Sequence, residues 1–158
     1  MDERNKEDYT KYYEKIELID SGAFGHVYKG KIKGKDEYRA IKVINLDKIR
    51  YSLSYEYEDE NDIENILNNC IDGYKNEYEN MRICSINNNN SVKCYEYFYN
   101  REEFVIIMEL CDKNLSQLLL EKKKNNKVFD IKEIKEIMKQ LNKTLRIMKD
   151  NKIIHRDL

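Results

Sequence analysis

Three short stretches of alternating apolar and polar residues follow one another between Tyr13 and Ile44. Successive side chains of a β-strand point to opposite faces of a sheet, so this alternation is typical of strands with one buried face. The runs EKIELID, HVYKGKI and EYRAIKVI are separated by a turn at GAFG and a second turn at Lys33-Gly34-Lys35. The sequence therefore predicts a three-stranded antiparallel meander.

Two later runs extend this sheet. SVKCYEYFY and FVIIMEL are joined by a polar turn from Asn100 to Glu103, and the second run is apolar enough to be buried on both faces. Residues Gly73 to Ile86 instead place apolar side chains at helical spacing. We expect a five-stranded antiparallel sheet with one helix.

The remaining part of the chain is helical. A short helix is predicted from Asn114 to about Lys124, and a longer one begins after Asp130, whose capping box is completed by Glu133. One face of the longer helix is apolar throughout, with Ile131, Ile134, Ile137, Met138, Leu141, Leu145 and Met148. The predicted fold class is α+β.

Two segments offer little to bury. Residues 1–12 are dense in charge and predict a tail. Between residues 47 and 69 the apolar pattern is lost, and six acidic residues lie between Glu56 and Glu64 with no basic residue among them. This composition predicts a solvated acidic insertion at 47–69, with residues 51–65 disordered. The sheet then occupies residues 13–110 and the helical part residues 111–158.

Charge and composition exclude several classes of protein. The 29 basic and 30 acidic residues nearly cancel, so no overall positive field holds the chain on nucleic acid or an anionic membrane. The longest apolar run, Phe104 to Met108, is far shorter than the roughly 18 residues of a membrane span. The N-terminus has no apolar signal core, and the four cysteines lack CxxC spacing. We expect an intracellular protein of the cytoplasm or nucleus that binds neither nucleic acid nor membranes.

Three features carry candidate chemistry. Gly22 and Gly25 flank a turn in which backbone N–H groups are able to approach phosphate oxygens, although a purely structural turn has the same sequence. Lys42 occupies an inward position of a predicted strand, where an ammonium group needs an anionic partner; an edge lysine needs none. Glu77, on the following helix, is a candidate for that partner, as is any exposed helical glutamate.

The segment His155-Arg156-Asp157-Leu158 follows the long helix and Ile153-Ile154. The ordered set GAFGHVY, AIKV, a helix with Glu77, FVIIMEL, a long helix and IIHRDL resembles the eukaryotic-type protein kinases. Serine/threonine specificity is the common case in that family. The resemblance covers residues 13–158 and is interrupted by the acidic insertion. It implies a kinase N-lobe followed by a hinge and the first helices of an incomplete helical C-lobe.

The resemblance implies ATP as cofactor. The nucleotide would be bound by Gly22, Ala23, Phe24, Gly25, Val27, Ala40, Lys42, Met108, Glu109, Cys111 and Leu115. The first four would cover the phosphates, Val27 and Ala40 the upper face of adenine, and Leu115 its lower face. Met108 would be the gatekeeper, and the backbone of Glu109 and Cys111 would form hydrogen bonds with the adenine edge as the hinge.

The resemblance also assigns catalytic roles. Lys42 would bind the α- and β-phosphates and be held by Glu77, while Asp157 would orient the hydroxyl of a protein substrate as catalytic base. A stacked hydrophobic spine linking the two lobes would consist of Met81, Cys94 and His155.

Two departures from the family pattern affect these expectations. Asp20 stands where the first glycine of the loop is usual, which adds a negative charge near the nucleotide and weakens ATP binding. The sequence ends one residue after Asp157, before the asparagine and aspartate that hold Mg²⁺ in the family. No metal ligand is therefore expected within the chain, and Mg²⁺ is expected only in a complete kinase.

We interpret the chain as the first part of a longer kinase that is inactive by itself but retains some affinity for nucleotide. The alternative is a non-catalytic, kinase-like binding or regulatory module. The genomic sequence downstream of Leu158 separates the two, because a continuation into an asparagine and a DFG motif supports the kinase and a genuine stop supports the module.

Overall fold

The computed structural model describes residues 8–23 and 25–155, and these form an α+β fold as predicted. Five antiparallel strands make one sheet in the order β1-β2-β3-β5-β4. The strands are β1 (Tyr13–Ser21), β2 (Gly25–Ile32), β3 (Tyr38–Asn45), β4 (Cys94–Tyr99) and β5 (Glu103–Met108). The helices are α1 (Leu46–Leu53), α2 (Glu60–Ser85), α3 (Leu115–Lys124) and α4 (Ile131–Asp150).

The sheet has two covered faces, each with its own core cluster. One face carries Ile44, Phe104 and Ile106, which pack against Leu67 and Tyr78 of α2. The opposite face carries a different cluster of buried side chains, to which Tyr9 adds a ring from outside the sheet. The cluster consists of Tyr9, Tyr13, Ile41, Val43, Phe98, Val105 and Ile107. Burial on both faces explains why the β5 run is continuously apolar rather than alternating.

The acidic insertion is folded, and the prediction that residues 51–65 are disordered is wrong. α1 begins directly after β3, where the Asn45 side chain accepts a hydrogen bond from the Lys48 N–H at 2.7 Å. α2 begins at Glu60 rather than Gly73, so this half of the chain has two helices instead of one. Ile63 and Leu67 are 7% and 2% exposed. Full burial of each such side chain contributes about 1.5–3 kcal/mol in favour of the folded segment.

The predicted tail is also partly packed. Tyr9 lies in a short 3₁₀ helix, Tyr9–Lys11, and is 3% exposed. Its ring centroid is 6.4 Å from that of Phe98, on the sheet face opposite α2. Packing therefore begins before Tyr13, while residues 1–7 lie outside the described part of the chain.

The helical part starts as predicted but exposes much of its apolar surface. The capping box of Asp130 and Glu133 is present, with both hydrogen bonds formed. Along α4, Met138 is 59% exposed, whereas Met148 is 8% exposed and packs near α2. Residues 153–155 have no regular structure. In the part of the chain that the structure describes, no helix is long and apolar enough to cross a membrane.

Candidate functional site

The predicted partners Lys42 and Glu77 are in contact. The Lys42 Nζ donates a hydrogen bond to Glu77 Oε1 at 2.7 Å, which confirms the ion pair expected from the sequence. β3 supplies the lysine and α2 supplies the glutamate. The two side chains are 33% and 39% exposed, so the pair borders solvent and remains accessible to a ligand.

The strand register places three further candidate residues on the sheet face that carries Lys42. Residues directly opposite each other in an antiparallel pair share a face. Val27 is opposite Lys42, and Ala40 is opposite Met108. Ala40 and Lys42 are two residues apart on β3 and therefore point the same way. This face presents small and apolar side chains beside the ammonium group of Lys42, and Lys29, which is opposite Ala40, lies on the same face.

The glycine turn closes next to this face. The Gly22 N–H donates to the Gly25 carbonyl at 2.8 Å. A Cβ on Gly25 would lie 2.4 Å from the Val43 carbonyl oxygen, so the close approach of β2 to β3 at this point requires glycine. Among the atoms of residues 8–23 and 25–155, a Cβ on Gly22 would meet nothing closer than 3.8 Å. Gly25 thus has a structural role, and Gly22 leaves open space above the turn.

Asp20 lies on the same face as Val27, because the two residues are paired in the β1–β2 register. Its carboxylate accepts a hydrogen bond from the Ser21 N–H at 2.8 Å. This places a negative charge beside the turn in a fixed local geometry. An anion bound at the turn therefore experiences repulsion from Asp20 and attraction from Lys42.

The segment after β5 contains the residues predicted to form the hinge, and the backbone amide of Glu109 is already hydrogen-bonded within the protein. The Glu109 N–H donates to the Lys93 carbonyl at 2.8 Å, and its carboxylate accepts from the Lys93 N–H at 3.1 Å. The amide of Glu109 is therefore already used within the protein. Cys111 is exposed and Leu115, at the start of α3, is 54% exposed. Partial burial raises the pKa of the Cys111 thiol above its ordinary value, and the carboxylates of Glu109 and Asp112 add to the effect.

A cleft of about 870 Å³ lies between α2 and the end of α4. Glu77, Met81 and His155 line it, together with Thr144 and Met148. The glycine turn and the residues Val27 and Ala40 are not among its lining residues. Glu77 therefore contacts Lys42 on the sheet face and also lines this cleft.

The predicted spine is brought together in part. Met81 packs against the core cluster that contains Cys94, and Met81 and His155 line the same cleft, but His155 is exposed. Burial raises the pKa of the Cys94 thiol to about 12, with a further contribution from Glu77. Cys94 is thus a neutral thiol in the core.

Some predicted site residues lie outside the described part of the chain. These are Phe24, Arg156 and Asp157, together with Leu158. Within residues 8–23 and 25–155, no three His, Cys, Asp or Glu side chains converge in a way that suits a metal ion.

Sequence comparison identifies the family to which this arrangement belongs. The protein kinase domain profile matches residues 13–158. The chain belongs to the protein kinase family. Its five-stranded sheet, α1 and α2 correspond to the kinase N-lobe, and α3 and α4 to the start of the C-lobe.

Several curated kinases are similar over most of this chain. Serine/threonine-protein kinase TIO of Arabidopsis thaliana is 31% identical over 92% of the chain and 9% of the relative. Probable serine/threonine-protein kinase fnkE of Dictyostelium discoideum is 33% identical over 98% of the chain and 11% of the relative. Serine/threonine-protein kinase dst2 of Dictyostelium discoideum is 30% identical over 97% of the chain and 11% of the relative. The chain thus spans about a tenth of the length of these relatives.

Sequence reasoning missed the residues that hold α2 in place. Asn88 is fully buried, and its side-chain amide donates to the Cys84 carbonyl at 2.9 Å and to Thr144 Oγ1 at 3.1 Å. These two hydrogen bonds connect the C-terminal end of α2 to α4. Nothing in the run Asn87–Asn90 distinguishes this asparagine from its neighbours. Arg50 of α1 pairs with Glu64 of α2 at 3.0 Å, and both residues lie in the predicted solvated insertion at 47–69.

Proposed function

We propose that this chain is the nucleotide-binding part of an ATP-dependent kinase that phosphorylates serine or threonine hydroxyls of proteins. The observation that carries the proposal is the 2.7 Å Lys42–Glu77 ion pair on the same sheet face as Val27 and Ala40. A lysine held by a helical glutamate beside a small-residue surface suits a triphosphate next to a planar base. The names of the similar serine/threonine kinases support the substrate class.

Each described residue then has a specific role. Lys42 binds phosphate oxygens, and Glu77 fixes the position of its Nζ. The turn between Gly22 and Gly25 leaves space for phosphates, while Val27 and Ala40 pack on the base. Because the Glu109 N–H is bonded to Lys93, its carbonyl oxygen is the group left to accept a hydrogen bond from the base. Cys111 and Leu115 would complete the hinge and the lower wall.

Catalysis needs more than these residues. Asp157 is proposed as the base that orients the substrate hydroxyl, and Mg²⁺ would neutralise phosphate charge in a complete kinase. Among residues 8–23 and 25–155, no three His, Cys, Asp or Glu side chains converge in a way that suits a metal ion. We therefore expect the 158-residue chain to bind nucleotide weakly and to transfer no phosphate.

The experiment that tests this proposal combines calorimetry with a transfer assay. Purified chain is titrated with ATP, with and without Mg²⁺, and then incubated with radiolabelled ATP and serine peptides. We expect weak binding that Mg²⁺ does not strengthen, binding lost in Lys42→Met, and no transfer. Lys35→Met is the matched control, since Lys35 is exposed in the turn between β2 and β3, outside the sheet face that carries Lys42. Transfer by the chain that is abolished by both Lys42→Met and Asp157→Asn would contradict the expected inactivity.

One observation favours a second candidate function. Asp20 places a carboxylate on the proposed nucleotide face, which disfavours a polyanionic ligand. A non-catalytic, kinase-like binding or regulatory module would tolerate this charge. Failure of ATP to bind both the wild type and Asp20→Gly favours the module, whereas tighter binding by Asp20→Gly favours the kinase.

A further inference from the structure

One side of α4 carries a continuous row of basic residues, here called the basic stripe. The spacing of three or four positions places these residues on one face of the helix. The stripe consists of Lys132, Lys135, Lys139, Lys143, Arg146 and Lys149, all of them exposed. From the first to the last it extends about 26 Å, at 1.5 Å per helical residue.

The charges of the basic stripe are almost unpaired. Lys139 lies 4.0 Å from Glu136 on the same helix, and its side chain is 80% exposed. Within residues 8–23 and 25–155, the other five cations have no carboxylate at ion-pair distance. By contrast, Lys122 on the neighbouring helix pairs with Glu133 at 2.6 Å. The stripe is therefore a concentrated positive surface on a nearly neutral chain.

The same chain carries a surface of opposite charge, here called the acidic segment. Its members are Glu56, Glu58, Asp59, Glu60, Asp62 and Glu64, and all are exposed. In the described part of the chain, Glu64 alone among them pairs with a cation, Arg50. Tyr51 and Tyr55 beside the segment are 65% and 73% exposed. Exposed tyrosines are frequent in interfaces and contact lysine and arginine favourably through their ring faces.

The two surfaces do not meet within one molecule in the described structure. α2 approaches α4 at its C-terminal end, where Asn88 bonds Thr144 and where Cys84 lines the same cleft as Met148. Glu60 is at the other end of α2, about 36 Å from Cys84 at 1.5 Å per residue. An acidic segment that reaches the basic stripe must then come from a second copy.

We propose that the basic stripe of one molecule binds the acidic segment of a second molecule of the same chain. Complementary charge over about the same number of residues on each surface favours this pairing over a partner of unrelated chemistry. The net charge of −1 leaves no long-range repulsion between copies. The inference does not depend on nucleotide binding, so it stands or falls separately from the proposed function.

Sedimentation velocity on the 158-residue chain tests this proposal. At about 0.05 M salt we expect a concentration-dependent rise in mass above that of one chain, and at about 0.5 M salt an association at least tenfold weaker, because exposed charges are screened. Association through the exposed apolar face of α4 is not weakened by salt in this way. An association that persists or strengthens at high salt would overturn the proposal.

Charge-reversed variants identify the surfaces. K135E/K139E/K143E alone, or E56K/E58K/E60K alone, should abolish association, and an equimolar mixture of the two should restore a mixed pair. The control K29E/K33E/K35E has the same change in net charge, is located on the β2–β3 hairpin, and should associate like the wild type. Lack of rescue in the mixture refutes the pairing. A chain that remains monomeric but binds a single-stranded RNA through the stripe also refutes it, since the occupant is then nucleic acid.

Discussion

Replacing Gly25 with alanine should destabilise the protein through a clash that the structure locates. The new Cβ would lie 2.4 Å from the Val43 carbonyl oxygen and 3.2 Å from the Ile44 Cα, both backbone atoms of β3. Carbon and oxygen atoms in sheets approach to about 3.3 Å, so the two strands must separate by about 1 Å. No flexible side chain is available to absorb this movement.

The expected cost follows from this geometry. Overpacking of a well-packed region costs about 1–3 kcal/mol, and alanine recovers about 0.4–1 kcal/mol by restricting the unfolded chain. A net loss of about 1–2 kcal/mol lowers the urea midpoint by about 0.5–1 M if the slope is near 2 kcal/mol/M.

Equilibrium unfolding in urea, followed by far-ultraviolet circular dichroism, measures this loss. Gly22→Ala is the matched control, because among the residues that the structure describes its Cβ would meet only the Gly25 carbonyl oxygen, at 3.8 Å. It should leave the midpoint unchanged or raise it slightly. Equal midpoints for Gly25→Ala and Gly22→Ala would refute the reasoning that Gly25 is required by the contact of β2 with β3.

Three further predictions address packing and ionisation. Leu67→Ala should lower the free energy of unfolding by about 2–5 kcal/mol in urea titrations, because Leu67 is 2% exposed. Ile131→Ala, at a site that is 70% exposed, should change the free energy of unfolding by less than about 0.5 kcal/mol. Equal effects of the two substitutions would contradict the packed position of α2. Lys42→Met should change stability by less than about 1 kcal/mol in the same assay, since both members of its ion pair are about a third exposed, and a larger loss would mean that the pair is a major part of the core. Burial raises the pKa of the Cys94 thiol from 9.0 to about 12, so the folded state binds the thiol proton more tightly than the unfolded state does. The resulting stabilisation is complete below pH 9 and should be lost as the pH rises from 9 to 12. Thermal unfolding at stepped pH should show this loss in the wild type and a smaller loss in Cys94→Ala.

The strands were predictable because their apolar pattern, turns and length all agree. The three alternating runs between Tyr13 and Ile44 became β1, β2 and β3 with shifts of one residue at their ends. The capping box at Asp130 predicted the start of α4 for a similar reason, since both side-chain hydrogen bonds are local. Local chemistry was sufficient wherever each element presents one regular face.

The acidic insertion was mispredicted because its composition hides a sparse apolar pattern. Ile49, Ile63 and Leu67 are few among many acids, yet all three are buried, and Ile49 and Leu67 belong to the core cluster where α1 and α2 meet the sheet. Their burial depends on the core cluster formed by β3 and β5, which is distant in sequence. Composition alone describes the exposed side of such helices and not the side that packs.

The candidate site was predictable as a set of residue types but not as a geometry. The Lys42–Glu77 pair joins residues separated by 35 positions, and its 2.7 Å distance depends on where α2 packs. The hydrogen bond from the Glu109 N–H to the Lys93 carbonyl depends on the path of the chain after β5, which the residue pattern does not specify. Both features require the tertiary structure.

The sheet face that carries Lys42 is proposed as the nucleotide site. Titration of the ¹⁵N-labelled chain with ATP, followed by amide chemical shifts, tests this assignment. We expect shift changes at Gly22, Val27, Lys42 and Cys111 that are absent in Lys42→Met, with residues of α4 unaffected. Changes confined to α4 or to the β2–β3 hairpin, or no changes at millimolar ATP in both the wild type and Asp20→Gly, would contradict it.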